Sequence, residues 1–128
     1  MTITEREPGA VTELPVSFLG EVRVAFGAGV LAYETPTGMR IDAVATGGTV
    51  RGPRLDAEVL PGGGDWLALG PDGIARMDVR ATLRTTDGAV VHYTSLGRTV
   101  LDDDARARYL AGETVGPEGL FGRATPLF

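Results

Sequence analysis

Ile74-Ala75-Arg76-Met77-Asp78-Val79-Arg80-Ala81-Thr82-Leu83-Arg84-Thr85-Thr86-Asp87-Gly88-Ala89-Val90-Val91-His92-Tyr93-Thr94-Ser95 is the stretch that decides the fold. Met77, Val79, Ala81 and Leu83 alternate with Arg76, Asp78, Arg80, Thr82 and Arg84. A period of two belongs to a strand with one buried face. Asp87-Gly88 then separates this run from a second β-rich run, the sequence of a two-residue type I′ hairpin turn. Pairing Thr86 with Ala89 sets Thr82 opposite Tyr93 and Arg80 opposite Ser95. Residues directly opposite share a face of the sheet. The expected polar face therefore carries Asp78, Arg80, Thr82 and Tyr93, and the expected apolar face carries Met77, Val79, Leu83 and His92. A slip of one residue would undo this grouping.

The rest of the chain extends the pattern. Glu21–Phe26 alternates with Val22, Val24 and Phe26 on one face, and a second run lies near 30–34. Met39, Ile41, Ala43 and Ala45 alternate with Arg40, Asp42, Val44 and Thr46 until Gly47-Gly48 interrupts them as a bulge or bend. Residues 54–60 form another strand, with Leu55, Ala57 and Val59 on one side. Pro61-Gly62-Gly63-Gly64 marks a turn. The good helix candidate is 102–111, capped by Asp102-Asp103-Asp104 and ended by Gly112. Many short strands between turns read as a sandwich or a barrel. A barrel is expected, because closure removes exposed edges. Residues 1–13 read as a loose arm ahead of one domain spanning 14–128, and the tail 113–128 shows no period.

Composition narrows the chemistry. The 128 residues carry a net charge of -5, with 43% hydrophobic and 23% charged residues, an ordinary globular balance. No basic stripe points to nucleic acid, and no apolar run reaches the roughly 20 residues of a membrane span. The first ten residues lack the apolar core of a secretory signal, so a cytoplasmic protein is expected. There is no Cys, Lys, Asn or Gln, and all 12 basic residues are Arg. Thiolate nucleophiles, Schiff bases and thiolate metal sites are excluded. One histidine, His92, excludes a multi-histidine metal site within one chain. Neither a metal nor a cofactor is expected.

Two strings invite a functional reading. Gly27-Ala28-Gly29-Val30-Leu31-Ala32 matches a dinucleotide fingerprint, but Pro36 and Gly38 cut off the helix it requires, so it reads as a glycine turn. In Gly62-Gly63-Gly64-Asp65-Trp66, the aspartate is either a turn residue capping backbone N–H groups, with Trp66 plugging a barrel end, or an acid or base whose pKa apolar surroundings raise. Arg80 and Tyr93 offer an anchor and a donor for a carbonyl or anionic oxygen if their face lines the lumen. Alternation by itself sets that face outside.

Three motifs taken together resemble the domain-of-unknown-function 3237 family: Gly47–Leu55, Leu60–Trp66 and Met77–Ala89. The resemblance implies a small lipocalin-like antiparallel β-barrel, to which the residue pattern at 102–111 adds one short helix near the C-terminus. It also implies a site at Asp65, Trp66 and Arg80, with the polar face of 76–84 turned into the lumen. Gly122–Phe128 looks like a family segment that is followed by an acidic-Thr step and a Tyr-x-Trp-Leu strand. Either the protein is shortened, in which case its barrel would lack a closing strand that a partner subunit of a homodimer could supply, or the sequence is part of a longer chain.

The function expected on these grounds is cofactor-independent acid–base catalysis on a small oxygenated metabolite: an isomerase, cyclase, aldolase or lyase. Asp65, Arg80 and Tyr93 are the expected catalytic residues. Trp66, Asp78, Thr82, Arg40 and Arg123 are the expected substrate contacts. A non-catalytic small-molecule-binding barrel is the alternative, and a barrel packed solid with side chains a third.

Overall fold

The computed structural model describes residues 13–28, 30–113 and 115–128. The expected arm, 1–13, lies almost wholly outside them. Eight strands form one antiparallel sheet: β1 (Glu21–Phe26), β2 (Leu31–Thr35), β3 (Gly38–Arg51), β4 (Ala57–Val59), β5 (Gly64–Leu69), β6 (Ile74–Thr85), β7 (Val90–Leu101) and β8 (Leu120–Leu127). One helix, α1 (Asp103–Leu110), sits between β7 and β8.

β3 organises the sheet. Its first half pairs with β2 and β5, and its second half with β1 and β4. The change of partners falls at the bulge, where Ala25 pairs with Gly47 but Phe26 pairs with Ala45. The strand therefore runs through Gly47-Gly48 to Arg51, where 39–46 was expected. From β4 and β5 the sheet continues through β6 and β7 to β8. Among the described residues no pairing joins β8 back to β1 or β2, and the sheet they form is unclosed along that seam.

The hairpin between β6 and β7 departs from the expected turn. Gly88 has φ +90°, while no described residue other than glycine has positive φ. Asp87 is thus not left-handed, and a type I′ turn is excluded. Thr85 N–H donates to Ala89 C=O at 2.9 Å and Gly88 N–H to Thr85 C=O at 2.9 Å. The loop is Thr86-Asp87-Gly88, a turn closed by a left-handed glycine. Thr85 Oγ1 also bonds Asp87 Oδ1, which lowers the Asp87 pKa. The extra loop residue slips the register by one: Thr82 pairs with His92, Ala81 with Tyr93 and Arg80 with Thr94. His92 consequently joins the outer face and is exposed, and Tyr93 turns inward.

Two apolar clusters fill the inside of the sheet. Val50, Ala57, Val59, Ala81 and Leu83 form one, with Val22, Leu55, Val91 and Tyr93 packed against it. Ile41, Leu67, Leu69 and Ala75 form the other, with Met39, Met77 and Leu101 beside it. The Met77/Val79/Leu83 face of β6 is therefore the inner one. The polar face of 76–84 points out, as alternation indicates and against what the family resemblance implies.

Shorter elements follow local chemistry. α1 starts where Asp102 accepts the Ala105 N–H at 2.7 Å and stops before Gly112, φ +77°. This matches the helix expected over 102–111. The strand expected over 54–60 contracts to Ala57–Val59. β5 and β8 went unread as strands in the sequence.

Candidate functional site

Asp65 opens β5 rather than lying in the turn before it. Gly62 supplies the turn with φ +105°, and Gly63 and Gly64 let the chain run close between β3 and β6. In the ladder Asp65 sits between Ala43 of β3 and Val79 of β6. It shares the inner face with Leu67 and Leu69, and all three are buried. The β5–β6 ladder holds at Gly64 and Asp65 and resumes at Ala68 and Leu69. In the gap, the Asp78 N–H donates to Asp65 Oδ1 at 3.0 Å. The carboxylate thus replaces a missing ladder acceptor. Its other oxygen, Oδ2, has no hydrogen-bond partner among the described residues.

Beside Asp65 a cavity of about 380 Å³ opens between the inner face of the sheet and α1. Leu67, Leu69, Met77, Leu101 and Leu120 make its walls largely apolar, and Tyr109, Arg106 and Glu113 border it from the helix side. That volume falls in the usual range of small-molecule sites. Burial raises the Asp65 pKa above its ordinary value; the Asp78 N–H bond opposes this and the negative Asp78 carboxylate adds to it. Burial, and the nearby negative charge of Asp65, raise the Tyr109 pKa, so its hydroxyl stays protonated as a donor at neutral pH.

The raised carboxyl has a consequence for stability. Between the ordinary value of 3.8 and the raised folded value, the folded chain holds a proton that the unfolded chain has released. Stability linked to this group is complete below 3.8 and falls as pH rises through the folded value. Asp65→Asn keeps an acceptor for the Asp78 N–H but carries no charge. Its stability relative to the wild type is expected to improve from about pH 4 to about pH 7 in urea titrations. A difference independent of pH would show that burial does not penalise the ionised carboxylate.

The other expected site residues lie elsewhere. Arg80 is exposed on the outer face, 3.2 Å from Asp78 Oδ2 and with its guanidinium 5.7 Å from the centre of the Trp66 ring. Trp66 is half-buried there rather than plugging a barrel end. Thr82 is also outside, and Trp66, Arg80 and Thr82 meet His92 round a shallow outer groove with Gly62 and Gly63. Arg40 reaches the Trp66 carbonyl at 3.4 Å. Arg123 is exposed on β8, 4.6 Å from the centre of the Phe121 ring. Tyr93 faces inward but packs edge-on against Phe128 at 5.3 Å, in the other apolar cluster. Of the expected catalytic residues, the structure brings Asp65 alone to the cavity.

Tyr109 and Arg106 were missed in the sequence. The available signal was their spacing of three, which sets both on one face of the capped helix. Among the described residues no group of three or more His, Cys, Asp or Glu side chains is placed to hold a metal ion. No described helix is long and apolar enough to cross a membrane.

Comparison with known proteins agrees with this architecture. A UPF0311 protein of Rhodopseudomonas palustris is 27% identical over 115 residues, covering 90% of this chain and 75% of that protein. A UPF0311 protein of Clostridium acetobutylicum is 32% identical over 81 residues, 63% of this chain and 51% of its own length. Among solved structures, a protein of unknown function from Clostridium acetobutylicum superposes with a TM-score of 0.73 at 24% identity, covering 84% of this chain and 74% of that one. A β-barrel-like protein from Acinetobacter baumannii gives a TM-score of 0.59 at 25% identity, covering 88% and 78%. The profile of the family described as protein of unknown function (DUF3237) matches residues 15–128, and the chain belongs to that family.

Proposed function

We propose that the chain is a cofactor-independent acid–base catalyst, of the isomerase, cyclase, aldolase or lyase type, acting on a small oxygenated metabolite in the cavity under α1. One observation carries this: a buried carboxyl with a raised pKa has one oxygen unpaired among the described residues, beside an apolar cavity. Such a group can take a proton from carbon next to a carbonyl and return it elsewhere. The Tyr109 hydroxyl is the donor available to the developing enolate oxygen. In this proposal Arg80 and Tyr93 lose the catalytic roles expected of them, because neither borders the cavity.

The test is solvent exchange. A panel of β-keto acids, β-diketones and aryl ketones is incubated with the protein in D2O, and loss of the α-proton signal is followed by NMR. Exchange above the buffer rate is expected, and Asp65→Asn is expected to slow it by roughly 10²- to 10⁴-fold. No catalysed exchange, or equal exchange by the variant, would reject the acid–base role. Saturable binding without exchange would point to the alternative, a small-molecule carrier.

The proposed assembly is a homo-oligomer, supported by the unpaired edge of β8 among the described residues. The proposed setting is the cytoplasm; a chain without cysteine requires no oxidising compartment.

A further inference from the structure

The cavity carries a charge that acid–base chemistry at Asp65 does not use. Arg106 borders it from α1 and is half-buried. It makes no hydrogen bond or ion pair through its side chain among the described residues. The neighbouring Arg108 differs: it bonds Glu113 at 3.2 Å and lies 3.9 Å from Asp104. Glu113, the acid bordering the cavity on the helix side, is thereby already engaged by Arg108. Asp65, on the sheet side, accepts the Asp78 N–H and makes no ion pair with Arg106 among the described residues. Arg106 is thus the cation of the cavity lining, and no acid of that lining pairs with it.

We infer that the cavity takes an apolar monocarboxylate, with the carboxylate on Arg106 and the apolar body against Leu67, Leu69, Met77 and Leu120. This rests on reading the cavity as the ligand site. A guanidinium presents a fork of N–H donors matched to a carboxylate, and half-burial strengthens that pairing. One cation suits one negative charge; a phosphate ester or dicarboxylate would leave charge unpaired against apolar walls. A sugar would find too few polar groups there, and an ammonium ligand would meet Arg106 itself. Size is bounded too. About 150 Å³ of apolar cavity holds benzene, so about 380 Å³ admits roughly 15 non-hydrogen atoms. The reactive end of such an acid would lie towards Asp65 and Tyr109.

Isothermal titration of the full chain with 2-naphthoate and with 2-naphthamide tests this. The two probes share shape and differ in charge. The expected result is binding of naphthoate at least tenfold tighter than naphthamide. Arg106→Met is expected to remove that preference while its thermal transition stays within a few degrees of the wild type. Asp65→Asn is expected to keep the preference. Equal affinities, a preference that survives Arg106→Met, or no binding of either probe would overturn the inference. The two proposals fail separately. Loss of the carboxylate preference with Asp65-dependent exchange intact removes only the anion anchor. A preserved preference without exchange removes only the catalysis.

Discussion

Leu83→Ala is expected to lower the unfolding free energy by about 3 kcal/mol, within the range of roughly 2–5 kcal/mol for truncating a buried leucine. Leu83 is 0% exposed and sits in the cluster with Val50, Ala57, Val59 and Ala81. Its neighbours come from β3, β4 and β6, whose backbones are held by ladders on both sides. Collapse into the vacated space is therefore limited, and the cavity term adds to the lost transfer energy. Thermal unfolding should fall by roughly 10 °C. Naphthoate binding should survive below that transition, because Leu83 belongs to the cluster away from the cavity. A loss under about 1 kcal/mol would mean that this end of the barrel is loosely packed.

Gly63→Ala should be at least as damaging, at about 3 kcal/mol or more. A Cβ there would lie 2.3 Å from the Arg80 carbonyl oxygen and 2.9 Å from the Ala81 Cα, both backbone atoms of β6. On the other side, the Gly63 carbonyl accepts the Ala45 N–H at 2.7 Å. The residue is held between two strands, so relief requires the sheet to part. Asp65 lies two residues on, and its bond to the Asp78 N–H depends on the same spacing. Loss of stability and loss of ligand binding are expected together. Gly62→Ala is the control. Its Cβ would meet nothing within 4 Å, and it carries only the strain of φ +105°. A cost of about 1–2 kcal/mol with binding retained is expected for it in urea titration. If the two variants proved equally mild, the close approach at Gly63 would not constrain the site.

Features set by local physics are legible in the sequence. Alternation in 74–95 marked the strands, and the inner face of β6 is the one alternation picks out. Asp102 and Gly112 marked both ends of α1, since caps and left-handed glycines act within a few residues. Gly47-Gly48 marked the bulge. β8 escaped notice because Gly122 and Pro126 break its pattern, and because β7 supplies its pairing from far along the chain. β5 was hidden by the glycine turn that precedes it.

The face of Tyr93 shows what lay beyond local reading. Asp-Gly suits both a two-residue turn and a three-residue loop with glycine last. The hydrogen bonds of Thr85, not the dipeptide, select the longer loop, and one residue of slip exchanges His92 for Tyr93 on the inner face. The candidate site is more dependent still on tertiary structure. Asp65 and Arg80 belong to neighbouring strands, yet they point to opposite sides of the sheet. Arg106 and Tyr109, roughly 40 positions away, reach the Asp65 cavity because α1 covers that end of the barrel. By itself the sequence determined an antiparallel all-β domain, one capped helix, the family, and Asp65 as a residue of interest. Only the tertiary structure decided which side chains meet it, because strand register and helix placement are settled by pairings between residues far apart in the chain.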